Sequence, residues 1–292
     1  MTTALLPRVT DPRARRQRLQ VARLTSTILV TVIVAIQVYP LVWVLLASVK
    51  STREFAGGNP FALPSEFNLD NYARAWQMAD LPRYIGNSLV VTVASNFFIV
   101  LLGMMAAYAI QVLRFRWSNL ALGLFVIGLV VPVQVALVPL FINYSRVGLL
   151  DTYPSMIVPL VGFSLPISVY LFASFFQYIP HETYEAASLD GAGPYRVFFQ
   201  ITMPLSVNTI ITVVFVNTIF IWNDFIFANT FVLSERLRTI PLGLQNYMGA
   251  MGSVDWTATF AAVCVTVTPI LLAFLALNRA IIYGIEGGGS KG

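Results

Sequence analysis

Residues Leu24–Ala47 read LTSTILVTVIVAIQVYPLVWVLLA, without one acidic or basic side chain. As a helix, a run of this length crosses roughly 30 Å of hydrocarbon. An isolated strand in lipid would leave its backbone groups unpaired, so the run is predicted to be helical. It exceeds the roughly 7–15-residue apolar core of a signal peptide and no A-x-A site follows, so it is expected to stay as an anchor. Five more stretches share its character: Ile85–Ile110, Leu120–Asn143, Ser155–Gln177, Leu205–Ala228 and Thr257–Tyr283. Only Asp224 and Arg279, each near the end of its stretch, bring charge into them. The expected fold is therefore an all-α polytopic membrane protein with six transmembrane helices.

Composition agrees. Hydrophobic residues make up 57% and charged residues only 11% of the 292, where a soluble domain carries about a quarter charged residues. The net charge of +5 does not point to nucleic acid. Arg8, Arg13, Arg15, Arg16, Arg18 and Arg23 all precede the first apolar stretch, as in a cytoplasmic retention signal. No RNP-like, zinc-finger or aromatic-basic segment accompanies them. Cys264, the single cysteine, lies inside an apolar stretch and reads as a small buried hydrophobe, which excludes a disulfide framework.

With the N-terminus inside, the inner segments hold eleven Lys and Arg residues and the outer segments seven. The excess sits mainly before the first helix, so both termini are expected to be cytoplasmic. Asn59 and Gly249 then face outward and Ser118 inward. The chain divides into a basic tail (1–23), a six-helix domain (24–283) and a short cytoplasmic tail (284–292). Pro40, Pro132, Pro139, Pro159, Pro166 and Pro269 interrupt the spans. Kinks at proline suit a protein that opens and closes, although prolines are common in membrane helices generally. No internal repeat of the kind seen in many secondary transporters is apparent.

The inner connector, 178–204, is too long to be merely a turn. Pro180 suits the first turn of a short helix, with Glu182 and Glu185 near the positive end of its dipole. Gly191 and Gly193, followed by Pro194, end it. Between these ends Ala186, Ala187, Ser188 and Ala192 leave a nearly bare surface that another backbone can approach closely. By itself such a helix could also lie on the membrane surface.

Glu185-Ala186-Ala187, then Gly191, then Ile201 after nine residues and Pro204 three further on, resembles the EAA motif of binding-protein-dependent ABC importer permeases. The usual ending I-x-L-P is here Ile201-Thr202-Met203-Pro204, a volume-conserving change. Asp190-Gly191-Ala192, Trp222-Asn223-Asp224-Phe225, Asn68-Leu69-Asp70-Asn71-Tyr72, Asn87-Ser88-Leu89 and the closing Gly288-Gly289-Ser290-Lys291-Gly292 resemble the sugar branch, the MalG-like permeases. The resemblance implies a type I ABC importer permease architecture in a bacterial cytoplasmic (inner) membrane. It also implies that Glu185, Ala186, Ala187, Asp190, Gly191, Ile201 and Pro204 form a coupling element docked on cytoplasmic ABC ATPase subunits. A second, MalF-like permease and an extracytoplasmic solute-binding protein complete the implied set of partners, with membrane lipid around the spans and no nucleic acid.

No G-x-x-x-x-G-K-[ST] phosphate loop occurs, so ATP and Mg are expected on the separate ATPase and no cofactor in this chain. An ion-coupled secondary transporter is the alternative, but such relays place Asp, Glu or His deep in the spans. Here only Asp224 is near, and the sole histidine, His181, lies in the inner connector. No G-x-S-x-G or H-E-x-x-H motif suggests an intramembrane enzyme. Trp222, Asn223 and Asp224 are the candidate solute pathway: a flat ring, an amide and a carboxylate suit a sugar. The competing reading is structural, with Trp222 anchoring an interface and Asp224 pairing with a neighbour.

Overall fold

A computed structural model describes residues 12–247 and 254–289, with side chains for 20–247 and 254–276. Arg8 of the basic tail, Gly249, expected on the outer side, and Ser290–Gly292 lie outside the described residues.

The helices follow the apolar stretches, with short ones in the connectors. α1 (Pro12–Ser48) is followed by α2 (Thr52–Gly57), where Ser51 Oγ accepts from the Glu54 N–H. Then come α3 (Asp70–Met78) and α4 (Leu81–Tyr108), the latter begun by Asp80 accepting from the Arg83 N–H. A π turn, Ala109–Leu113, prolongs α4. Next are α5 (Ser118–Gly128), α6 (Val133–Arg146) and α7 (Tyr153–Phe176). The segment 178–205 holds α8 (His181–Leu189), α9 (Pro194–Val197), a second π turn (Phe198–Thr202) and α10 (Met203–Leu205). α11 (Val207–Trp222), α12 (Ile226–Phe231), α13 (Ile240–Gly243) and α14 (Trp256–Gly289) complete the described chain.

Four of these helices are alone long and apolar enough to cross a bilayer: Gln20–Ser48, Leu81–Leu113, Tyr153–Phe176 and Trp256–Ala276. Two bent pairs raise the number to as many as six. The sequence predicts one continuous span over Leu120–Asn143, yet α5 and α6 meet at 93°. Pro132 stands just before α6 and has no N–H with which to carry the ladder through. The span expected over Leu205–Ala228 also differs. Pro194–Leu205 meets α11 at 75°, and α11 stops at Trp222 before α12 begins. Pro40, Pro139, Pro159, Pro166 and Pro269, by contrast, lie inside continuous helices.

α4 and α7 form the centre, with α5 against α7, α11 against α4 and α14, and α1 and α3 against α14. Ile99 and Met104 of α4 interlock with Val169 and Phe172 of α7, all fully buried. Lipid is as apolar as these side chains, so close fit and interhelical hydrogen bonds hold the spans together rather than escape from water. Asn96 Nδ2 of α4 donates to Thr218 Oγ1 of α11 at 3.1 Å, and Asn217 Nδ2 of α11 donates to Ser168 Oγ of α7 at 3.1 Å. Residues 20–42 of α1 are exposed throughout.

The segment Asn68–Tyr72 fastens the end of α1. Fully buried Asn71 donates through Nδ2 to the carbonyls of Ser48 and Lys50, both at 2.7 Å. A helix end leaves such carbonyls without intrahelical partners, and here an amide supplies the donors. Tyr72 Oη meets Ser48 Oγ at 2.8 Å, and the Asn68 N–H reaches the Val49 carbonyl at 2.7 Å. Arg74 donates to Asn71 Oδ1 (2.8 Å), Thr257 Oγ1 (2.9 Å) and Asp255 (3.2 Å), tying this knot to the start of α14.

Candidate functional site

α8 is a nine-residue helix with a well-formed end. Pro180 stands just before it in extended conformation (φ −56°, ψ 134°), one position earlier than a first-turn proline. At the other end Gly191 takes φ +75°, its N–H bonding the Ser188 carbonyl at 3.0 Å. The Ala192 N–H bonds the Ala187 carbonyl at 2.9 Å. That pair of bonds around a left-handed residue is a Schellman cap, and glycine adopts it without steric cost. A Cβ built on Gly191 meets no atom within 4 Å, so the requirement is one of conformation and not of space.

One side of α8 is anchored and the other is free. Ala187 is buried with Val197 and Phe198 of the connector and with Ala107, Tyr108 and Ile110 at the end of α4. Glu185, Ala186, Ser188, Asp190 and Gly191 are exposed. Leu189, which the sequence reading passed over, is 90% exposed. The exposed side of the turn thus presents one apolar side chain among small and acidic residues. The far part of the motif has a different place. Ile201 lies half-buried in the π turn, and Pro204 is exposed in α10, directly before the bend into α11.

Trp222, Asn223 and Asp224 stand together at the break between α11 and α12. Trp222 is buried and its Nε1 donates to the Thr266 carbonyl of α14 at 3.2 Å. Asp224 receives the N–H groups of Ala228 (3.2 Å) and Phe227 (3.4 Å), starting α12 as a helix-capping carboxylate does. Asn223 is exposed, its Nδ2 turned back to the Ile219 carbonyl at 2.8 Å. Trp222 and Asp224 thus spend their polar atoms on the fold.

The family described as "Binding-protein-dependent transport system inner membrane component" matches residues 99–283, which contain both sites. The chain belongs to this family. It is 36% identical to the "Diacetylchitobiose uptake system permease protein NgcG" of Streptomyces coelicolor, over 87% of this chain and 84% of that one. It is 30% identical to the "Trehalose transport system permease protein SugB" of Mycobacterium tuberculosis, over 91% and 96% respectively. Its fold resembles a solved bacterial ABC transporter involved in the import of the acidic polysaccharide alginate (TM-score 0.65, 16% identity, covering 92% of this chain and 98% of that chain).

This binding-protein-dependent permease is thus the inner-membrane subunit of an ABC importer, and the ATPase of such a system is a separate subunit. Two further polar features of the permease escaped the sequence reading. Inside the bundle, Thr92 Oγ1, Ser95 Oγ and Asn96 Oδ1 of α4 and Thr209 Oγ1 of α11 are buried with no partner among the described residues. The signal was present as polar residues three to four apart in an apolar helix, but composition hid it. Near the start of α4 is a cavity of about 460 Å³ lined by Arg83, Asn87, Asp151, Tyr153 and Arg236, among others. Asn87 donates to the Arg236 and Arg238 carbonyls and accepts from Tyr153 Oη at 2.6 Å. Asp151 adopts φ +56°, and its Oδ1 accepts from the N–H and hydroxyl of Ser234 and the N–H of Leu233. The Ser234 N–H above all holds this carboxyl below the usual carboxylate range.

Proposed function

We propose that this permease carries a sugar or oligosaccharide, handed over by an extracytoplasmic solute-binding protein, and that it shares the pathway with a second, MalF-like permease. The substrates for which the relatives are named, diacetylchitobiose and trehalose, support a glycan. The single observation that carries the mechanism is the α8 turn: a glycine-capped end that exposes Leu189 together with Glu185, Ala186, Ser188 and Asp190. We read Glu185, Ala186, Asp190 and Gly191 as the part that docks on the ATPase, where ATP and Mg bind; Ala187, expected from the sequence to share that surface, instead packs inward and anchors the turn on its own chain. Ile201 and Pro204 form the joint by which the turn is hung from α11. ATP closing the ATPase then shifts a two-state bundle towards its outward-open form, and hydrolysis returns it. Six spans with both termini cytoplasmic are the topology this requires.

Single cysteines in a Cys264→Ser background test topology and docking together. One at Asn59 reacts with an impermeant thiol reagent in intact cells, and one at Arg116 does not. Arg116 is exposed, whereas the Ser118 hydroxyl is buried against the Phe115 carbonyl and would mislead. A cysteine at Ser188 cross-links to the ATPase subunit. Labelling of Arg116 from outside overturns the topology, and absence of the Ser188 cross-link overturns the docking.

The break between α11 and α12 is our candidate solute surface, with Asn223 as its exposed group and Trp222 and Asp224 holding it in place. Asn223→Ala is expected to raise the concentration of glycan needed for half-maximal uptake several-fold, with assembly intact. Trp222→Phe loses one buried hydrogen bond, about 1 kcal/mol or somewhat more, and so lowers stability before it alters solute preference. Unchanged uptake by the Asn223 variant across a glycan panel removes this surface from the pathway.

A further inference from the structure

We propose that Tyr108 and Arg114 are positioning residues that lock α8 to α4, so that α4 is the span that follows the coupling turn. The proposal rests on the docking of α8 and adds the route by which its movement leaves the turn. Of α8, Ala187 is buried and Tyr184 is half-buried, its ring packed against the core of the bundle. Both side chains belong to the middle of the helix and leave its two ends to other contacts. Its chain neighbours reach α7 and α11 only through Tyr178–Pro180 and through the connector after Gly191.

α4 and the segment that prolongs it supply those contacts on both flanks. Beyond the capped end, Tyr108 Oη donates to the Pro194 carbonyl at 3.1 Å, and its ring meets Phe198 edge-on at 5.3 Å. At the beginning, the Arg114 guanidinium lies 2.9 Å from Nε2 of His181, the first residue of α8. Arg114 has no acceptor atom, so it is the donor and the ring nitrogen the acceptor. Arg114 is held for this contact by φ +48° and by its own Nε bond to the Gln111 carbonyl. The π turn Ala109–Leu113 lies between the two contacts, and Tyr108 packs it near the second π turn at Phe198. Such turns re-aim side chains locally and concentrate at functional positions. Tyr108 is buried and satisfied, and the sole histidine of the chain acquires a use that no catalytic reading gave it.

The test uses the full complex in lipid nanodiscs, with spin labels at Glu182 and Leu102 in the Cys264→Ser background, nucleotide-free and trapped with ATP and vanadate. If α8 and α4 move as one body, the label distance changes by less than about 2 Å in the unaltered chain. In Tyr108→Phe/Arg114→Gln it changes by more than about 3 Å. Stimulation of ATP hydrolysis by the solute-binding protein then falls roughly fivefold or more, a typical coupling effect. His181→Glu, which offers Arg114 a new acceptor, keeps the distance constant, whereas His181→Leu does not. A shift already present in the unaltered chain overturns the proposal. So does constant distance with full stimulation in the double variant. The Ser188 cross-link to the ATPase separates the two levels: if it forms while the distances fail, the lock alone is wrong, and if it never forms, the docking falls as well.

Discussion

Gly191→Val is expected to abolish the ATP hydrolysis that the solute-binding protein stimulates, while the permease still inserts and assembles. Gly191 has φ +75°, and its N–H and that of Ala192 close the end of α8 on the Ser188 and Ala187 carbonyls. A left-handed conformation costs an ordinary L-residue roughly 1–2 kcal/mol, and a β-branched one more. Valine therefore opens the cap, and the exposed end from Leu189 to Ala192 loses its fixed shape. The open space around the Cβ position permits a graded series. If conformation is what matters, Gly191→Asn should retain most of the activity, Gly191→Ala less, and Gly191→Val almost none, because Asn tolerates the left-handed region best. If the partner needs a bare surface there, Asn and Ala fail together with Val. Stimulated hydrolysis at the normal rate in Gly191→Val would falsify the assignment of this turn to coupling.

Asn71→Ala should be the most damaging single change on the opposite side of the molecule. The substitution removes two buried donors and leaves the Ser48 and Lys50 carbonyls without their amide partner. It also frees one arm of Arg74, which otherwise bridges to Thr257 and Asp255. Orphaned buried acceptors cost about 1–3 kcal/mol each, part of which water recovers, so a total loss of about 2–4 kcal/mol is expected. In detergent this should lower the unfolding midpoint on the order of 5–10 °C. Asn71→Asp should be worse, since it sets a carboxylate against two carbonyls that both need donors. A midpoint within a degree of the unaltered protein would show that the fastening of α1 lies elsewhere.

The apolar stretches were legible because a bilayer leaves so little choice: long uncharged runs must be helices, and the structure forms helices over each of them. The ends of α8 were legible for a similar reason. Glycine is nearly alone in tolerating φ +75°, so Gly191 before a proline-led segment could be read as a stop. The motif spacing pointed to the family, and the match over residues 99–283 bears that out. Composition gave no warning of the 93° turn at Pro132, since five other prolines in the spans lie within continuous helices. Whether a proline breaks a helix depends on what neighbouring helices offer the freed carbonyls, and that is a matter of packing.

Side-chain duties divide along the same line. Asn68–Tyr72 and Trp222–Asp224 look alike in sequence, each a short polar-aromatic group beside a span. Tertiary contacts make the first the fastening of α1, and in the second they commit Trp222 and Asp224 to α14 and α12 while leaving Asn223 exposed. What the sequence alone determined was everything fixed by local backbone energetics and by the solvent: which segments are helical and apolar, and where the capped turn ends. What only the tertiary structure decided was which donor meets which acceptor, as when Tyr108 reaches Pro194 and Arg114 reaches His181. A hydrogen bond requires two groups within about 3 Å, and residues 67 or 86 positions apart are brought that close only by the packing of whole helices.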